Sequence, residues 1–242
     1  MTSIYSDIVT AKKNGKKLLA ILIDPEKINF EVVDTLISKI NKSGATHIFI
    51  GGSLVTNAIL DDLIIRIKQN SSLPVVLFPG NPSQISGKAD GILFLSLLSG
   101  RNPDYLIEHQ INAVPILKKT ELEIISTGYL LIESGSKTAV QTVSKTKPLS
   151  IKKPEYILQT AQAGEMMGNK LIYLEAGSGA KNAVPIEIIK LVATNIDVPL
   201  IVGGGIRSLK EIEIAQHSGA DLVVIGTAFE NDLTFFDFKN AK

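Results

Sequence analysis

Eight short apolar runs alternate with longer amphipathic stretches in a chain of 242 residues, and three of the joints between them repeat one pattern. Together these observations predict an α/β chain folded as one (β/α)8 barrel over residues 1–242. The runs recur at intervals of about 30 residues, the size of a strand–helix unit. Their continuous apolar character suits parallel strands covered on both faces. The repeated joints are SGATHIFIGGS, KADGILFLS and SGADLVVIGT, each a small-residue turn, a strand, and a polar or glycine-bearing end. Eight such units favour a closed barrel over a doubly wound open sheet.

In chain order, the first run is Leu18–Ile23. A helix over Phe30–Ser43 follows, with Val32, Val33, Leu36, Ile37 and Ile40 at helical spacing. His47–Ile50 is the second run, and Ala58–Gln69 carries Ile59, Leu63, Ile64 and Ile67 on one helical face. Pro74–Phe78 and Gly91–Leu95 are the third and fourth runs, and Pro103–Gln110 is the next helix. The fifth run begins at Glu123–Ile125 and continues toward Leu131, inside the polar, lysine-rich region Thr120–Lys153. That region reads as an elaborated joint rather than a separate domain. Helices over Pro154–Met167, Pro185–Thr194 and Ser208–Ser218 lead to the last runs, Leu171–Glu175, Pro199–Val202 and Leu222–Ile225. Pro103, Pro154 and Pro185 fall where a first helical turn begins, and Ser208 with Glu211 forms a capping box.

Composition removes several classes of function. Lys and Arg number 25 against 24 Asp and Glu, so there is no electrostatic case for nucleic acid as the main partner. The chain has no cysteine, which excludes disulfides, zinc–thiolate sites, iron–sulfur clusters and thiol catalysis. His47, His109 and His217 are far apart and read as structural or exposed, so a metal would be hard and oxygen-ligated, such as Mg²⁺. The N-terminus has no apolar secretory core, and the longest uncharged run, residues 69–87, is broken by Pro74, Pro79 and Pro82. The expectation is a cytoplasmic protein with at most transient membrane contact.

In a barrel of this kind chemistry gathers at the C-terminal ends of the strands. IVGGGIRS ends the seventh run and VIGTAFE the eighth, so Gly203, Gly204, Gly205, Gly226 and Thr227 are candidate phosphate donors, although such glycines also simply make tight turns. YLEAGSGA, residues 173–180, places Glu175 at the end of the sixth run, where a carboxylate can take a proton from a bound substrate or can bond a neighbouring loop. Asp24 ends the first run, and Ser53 follows the second. As oxygen ligands on adjacent strands they can hold Mg²⁺ together with substrate phosphate, or Asp24 can cap a turn. Arg101, after the fourth run, can pair with phosphate or can sit at the surface. Phe78 and Tyr129 can line an apolar groove or belong to the core, while Tyr5, Phe229, Phe235, Phe236 and Phe238 read as packing residues.

These residues resemble a known family, the geranylgeranylglyceryl phosphate synthases with their bacterial heptaprenylglyceryl relatives. The likeness is carried by LIDPEK, FIGGS, LFPGNPSQIS, FLSLLSGRNP, STGYLLIESG, YLEAGSGA, VGGGIRS and GADLVVIGTAFE, from about Leu18 to Glu230. The resemblance implies a modified TIM barrel that transfers a prenyl group from a polyprenyl diphosphate to the 3-hydroxyl of sn-glycerol 1-phosphate, releasing pyrophosphate. It implies Mg²⁺ at Asp24 and Ser53, and glycerol phosphate on Tyr173, Leu174, Glu175, Ala176, Gly177, Ser178 and Gly179. It further implies a phosphate clamp of Gly204, Gly205, Gly226 and Thr227 beside Gly203, with Glu175 as base. A homo-oligomer, dimer or hexamer, is also implied. The heptaprenyl branch resembles a Lys-x-Asp pattern at the first strand and Asn at the eighth. Here Leu22 and Thr227 stand at those positions, with Lys27 the nearest lysine, which leans toward the geranylgeranyl branch and its larger-sequence group.

Two other readings compete. A phosphoribosyl or indole-glycerol-phosphate barrel enzyme would share the phosphate site but leave YLEAGSG unexplained. A barrel that binds phosphate or lipid without catalysis would be expected to lack Glu175 or Asp24, and both are present.

Overall fold

The computed structural model describes residues 3–52, 57–232 and 234–236. Its centre is a closed barrel of eight parallel strands in sequence order: β1 (Leu18–Ile23), β2 (His47–Ile50), β3 (Val75–Leu77), β4 (Gly91–Leu97), β5 (Glu123–Leu131), β6 (Leu171–Glu175), β7 (Leu200–Gly203) and β8 (Leu222–Ile225). The last strand closes on the first, with Leu18 to Ile21 in register with Leu222 to Ile225. All eight apolar runs are therefore strands. Side chains alternate along each. Ala20, Phe49, Val76, Leu93, Ile125, Leu171 and Ile201 fill the interior. Ile21, Ile48, Val75, Ile92, Ile172 and Val223 face the surrounding helices.

Those helices are α1 (Ile4–Lys13), α2 (Val33–Lys42), α3 (Asn57–Asn70), α4 (His109–Leu117), α5 (Ala139–Ser144), α6 (Pro154–Met166), α7 (Ile186–Ala193), α8 (Leu209–His217) and α9 (Thr227–Asn231). Helix α2 starts later than its apolar spacing suggests. Asn29 makes a turn first, its side chain accepting from Glu31 N–H and its carbonyl from Val32 N–H. Helix α8 is capped by Ser208, whose Oγ accepts from Glu211 N–H at 3.2 Å. The Glu211 carboxylate returns to Arg207 N–H, one residue before the position of a standard capping box.

Three departures from the sequence reading bear on the site. Helix α1 plugs the N-terminal end of the barrel, burying Ile4, Ile8 and Ala11 against the interior. Its first turn is held by Glu123 at the start of β5, which accepts from Ser3 Oγ at 2.6 Å, Ile4 N–H at 2.5 Å and Tyr5 N–H at 2.9 Å. The helix expected to end at Gln110 instead runs to Leu117. It opens with a π-helical turn over Asp104–Glu108 and continues as α4 because Gln110, Ala113 and Leu117 all face inward. Pro115 sits in its last turn. Between β3 and β4 the chain makes only a 3₁₀ turn, Pro82–Gln84, where a barrel of this kind carries a full helix. The outer face of β4 is thus packed by α4 and its leading π-helical turn, with only this short 3₁₀ turn on the β3 side.

Candidate active site

One cavity of about 690 Å³ opens at the C-terminal end of the barrel and extends sideways toward β4 and α4. Its two ends differ in chemistry. Around the ends of β6, β7 and β8 the walls are glycine-rich backbone, from Gly177 to Ala180, Gly204 to Arg207 and Gly226 to Ala228. Toward β4 and α4 they are apolar, with Ile85, Ile92, Phe94, Leu95 and Ala113. Glu175 and Tyr173 lie between.

Glu175 occupies the last inward position of β6, one step above Tyr173. Its carboxyl is buried, and Oε1 accepts from Gly177 N–H at 2.6 Å. Burial pushes its pKa up to about 7, against the opposing pull of the Gly177 amide and the nearby Tyr173 hydroxyl. A carboxyl poised there is half ionised near neutrality, as a general base requires. Burial and the neighbouring Glu175 raise the phenols of Tyr173 and Tyr129 well above their usual range, so both rings are neutral. The Tyr173 hydroxyl lies beside Glu175, yet no aligned hydrogen-bond partner meets it among the described residues. It is a buried polar group beside the Glu175 carboxyl, on a residue that lines the cavity.

Gly204 shows why glycine closes this strand. Its φ of +80° lies in the left-handed region, and a Cβ there would fall 2.1 Å from Glu175 Oε1. The loop after β6 is folded over the cradle and tied from the next strand end: the Arg207 guanidinium donates to the carbonyls of Ala180 and Lys181, the latter at 2.9 Å.

Across the cavity Asp24 follows β1. Its Oδ1 accepts from Glu26 N–H at 3.1 Å, and its Oδ2 lies 3.0 Å from the Lys27 ammonium. Glu230 on α9 mirrors it. Oε1 accepts from Asp24 N–H at 3.0 Å, and Oε2 lies 3.6 Å from the same ammonium. Each carboxylate has one oxygen fixed by backbone and one turned to a common cation position. Burial raises the Glu230 pKa, although Lys27 and the Asp24 amide oppose it. No three His, Asp or Glu side chains among the described residues are grouped to hold an ion unaided. A Mg²⁺ ion at Asp24 would complete its shell with water and substrate oxygens, its usual manner of binding.

Of the residues singled out from sequence, Asp24, Tyr173, Glu175, Gly177, Ser178, Gly179, Gly204, Gly205, Gly226 and Thr227 line the cavity together. Leu174 and Ala176 do not. Strand alternation turns them outward into the core between barrel and helices. Gly203 lies beneath the surface, its carbonyl accepting from Ala176 N–H at 3.0 Å. Arg101 is not brought to the cavity either. Its guanidinium is taken up by the carbonyls of Leu98 and Gly100 and by Tyr156 Oη at 2.8 Å. Ser53 lies outside the described residues. The cationic side chains on the cavity wall are instead Arg207 and Lys27, and Glu230 is an acid that sequence reasoning passed over. His47 is structural, buried with its pKa lowered to about 4.

Comparison with known proteins gives one answer. The PcrB family profile matches residues 11–241. The chain is 65% identical over 237 residues to a geranylgeranylglyceryl phosphate synthase of Flavobacterium johnsoniae, covering 98% of each chain. It is 53% identical over 231 residues to the synthase of Zunongwangia profunda, covering 96% of this chain and 98% of that one. Among solved structures it superposes with a TM-score of 0.92 on the (S)-3-O-geranylgeranylglyceryl phosphate synthase of Thermoplasma acidophilum in complex with its substrate sn-glycerol-1-phosphate, at 31% identity over 98% of this chain and 95% of that one. Tryptophan synthase α-subunit from Pyrococcus furiosus, at TM-score 0.60 and 13% identity over 93% of this chain and 94% of that one, shares the barrel fold alone.

Proposed function

The chain belongs to the PcrB family, and on that footing we propose that it is a geranylgeranylglyceryl phosphate synthase, joining the prenyl group of geranylgeranyl diphosphate to the 3-hydroxyl of sn-glycerol 1-phosphate. The observation that carries this reading is Glu175, a buried carboxyl with a pKa near 7, set between an amide-built cradle and an apolar groove in one cavity. A phosphate at one end of the nucleophile, a hydroxyl at the other and an apolar donor match those three zones in order.

The phosphate takes the cradle formed by the backbone at Gly177–Gly179, Gly204–Gly205 and Gly226–Thr227, with Arg207 at its rim. This anchorage is remote from the reacting atoms and supplies positioning. The three-carbon chain carries the 3-hydroxyl to Glu175 and Tyr173. Glu175 takes the hydroxyl proton. The oxygen lone pair forms the new bond to C1 of the donor, and the C1–O bond to diphosphate breaks with both electrons leaving on pyrophosphate. The tail lies along Ile92, Phe94, Leu95 and Ala113.

Mg²⁺ is part of the proposal, with Asp24 as its protein ligand and Ser53 as the second by resemblance. Asp24 is an oxygen donor on the cavity wall; its Oδ2 is paired with the Lys27 ammonium, as is Glu230 Oε2, so an ion bound there would take the place of that ammonium. When bound, the ion would neutralise charge gathering on the departing diphosphate. We also propose a homo-oligomer, dimer or hexamer, because the outer face of the α4 segment leaves Ile107, Ile111 and Val114 exposed at helical spacing. Light scattering in solution tests it. A cytoplasmic location is proposed too. No helix among the described residues is long and apolar enough to cross a membrane.

The testing experiment is a transfer assay with labelled sn-glycerol 1-phosphate, offering farnesyl, geranylgeranyl and heptaprenyl diphosphates separately, with Mg²⁺ or EDTA. sn-Glycerol 3-phosphate is the stereochemical control. A Mg²⁺-dependent geranylgeranyl product is expected. A heptaprenyl preference overturns the donor length, activity in EDTA overturns the metal, and no transfer by folded protein overturns the reaction.

A further inference from the structure

Three aromatic rings close the barrel interior immediately beneath Glu175. Tyr129 on β5 and Tyr173 on β6 hold inward positions, and Phe78, just past the end of β3, packs against the same interior cluster. Phe78 lies almost parallel to Tyr173, with ring centres 5.4 Å apart and planes at 22°. Tyr129 stands edge-on to Tyr173 at 5.4 Å and lies 5.9 Å from Phe78. The layers below are filled mainly by aliphatic side chains, among them Val76, Leu93, Ile125 and Leu171. Filling the barrel does not demand rings at its mouth. Phe78 is the half-buried member of the three, with one face on Tyr173 and the cavity beside it. Its backbone is seated against Gly51, where a Cβ would fall 2.0 Å from the Phe78 carbonyl oxygen.

Resting on the transfer reaction above, we propose that Phe78, Tyr129 and Tyr173 form a floor of π-electron density that stabilises the positive charge on C1 of the allylic donor as its bond to diphosphate breaks, with Phe78 the principal contact. The argument is one of reach. A hydroxyl bonded to Glu175 sits about 2.6–3.2 Å from the carboxylate. In a near-attack geometry the electrophilic carbon is about 3–3.5 Å beyond it. The carbon therefore lies about 6 Å from Glu175, in a cavity whose wall also includes Phe78, Tyr129 and Tyr173. A cation within about 6 Å of a ring centre is attracted by the ring quadrupole, by about 0.5–2 kcal/mol. A ring face also offers no lone pair to capture the cation, so the glycerol oxygen remains the group that forms the bond. The rings exchange no atoms or electrons with the substrate. The C1–O bond to diphosphate breaks with its electron pair, the glycerol oxygen forms the new C1–O bond, and its proton passes to Glu175.

The test replaces Phe78 by mono-, di- and trifluorinated phenylalanine, which keep ring size while withdrawing π density, and measures single-turnover transfer with both substrates saturating. The expected result is a stepwise fall, about 2- to 30-fold across the series, with KM for sn-glycerol 1-phosphate unchanged. A second measurement uses an ammonium analogue of the donor, nitrogen in place of C1, together with pyrophosphate. It should inhibit more tightly than its neutral carbon isostere in the wild type, and that preference should collapse in Phe78→Leu. A flat fluorine series in a transferring enzyme overturns the floor and leaves the reaction standing, as does an undiminished ammonium preference in Phe78→Leu. Absence of transfer by the wild type overturns both.

Discussion

Replacing Glu175 by Gln should make the protein more stable and nearly inactive, and the stability gain should depend on pH in a calculable way. The carboxyl is buried, and its pKa is pushed from 4.5 to about 7. That displacement corresponds to about 3 kcal/mol against the ionised form in the folded state. Because the folded pKa lies above the unfolded one, the folded chain binds more protons between the two values, so stability falls as pH rises through that window. The penalty is absent below about pH 4.5, accrues up to about 7 and is complete above it. Glutamine is isosteric, keeps an oxygen to accept from Gly177 N–H, and carries no charge to bury. Glu175→Gln should therefore match the wild type at pH 4.5 and exceed it by about 3 kcal/mol at pH 8.5, read by urea denaturation at both values. Transfer should fall about 10²- to 10⁴-fold, as for loss of a general base, with glycerol phosphate affinity held within a few fold. The acid limb of the wild-type kcat/KM profile should bend near pH 7. A variant whose stability tracks the wild type at both pH values would refute the buried-base argument, and so would one that keeps the wild-type rate.

Other perturbations have similarly direct outcomes. Gly204→Ala must place a methyl 2.1 Å from Glu175 Oε1 at a φ of +80°, so calorimetry should show glycerol phosphate binding lost, with stability lowered by about 1–3 kcal/mol. Arg207→Ala removes the tie to Ala180 and Lys181, and KM for glycerol phosphate should rise about tenfold with kcat little changed, since the loop is a positioning device. In Asp24→Asn the Mg²⁺ concentration for half-maximal rate should rise about tenfold or more, and a titration that superposes on the wild type would remove Asp24 from the metal site.

The barrel was legible because parallel strands covered on both faces must be apolar throughout, and HIFI or LVVI leaves few alternatives. Helix α1 was not read, although Ile4, Ile8 and Ala11 stand at helical spacing, because the residues between them are mostly polar, a run of lysines follows, and the partner that holds its first turn, Glu123, is remote. The site was legible where strand ends fix position, at Asp24, Glu175 and the glycines. It failed where a loop's path decides. Arg101 and Arg207 both follow glycine-bearing strand ends, but one guanidinium is spent on its own loop and on Tyr156 of α6, while the other reaches back to the loop after β6. Parity turns Leu174 and Ala176 into the outer core, although the family resemblance had placed them in the substrate run with Tyr173 and Glu175. Glu230 could be placed only by closing β8 on β1, which brings it to an amide 206 residues away.

The clamp on α1 sets a timetable for the growing chain. The helix is made before β5, and the carboxylate that satisfies its leading amides lies 118 residues further along. At synthesis rates of about 5–20 residues per second, Ile4, Ile8 and Ala11 wait about 6–24 s for it. Strand β1 waits longer, because its second neighbour is the last strand to emerge. Throughout that interval the nascent barrel presents an open sheet edge and an unburied apolar helix face, the two features that invite association with other chains. A fold whose β1 pairs with β8 and whose α1 is held from β5 is protected from such association only once β8 has emerged.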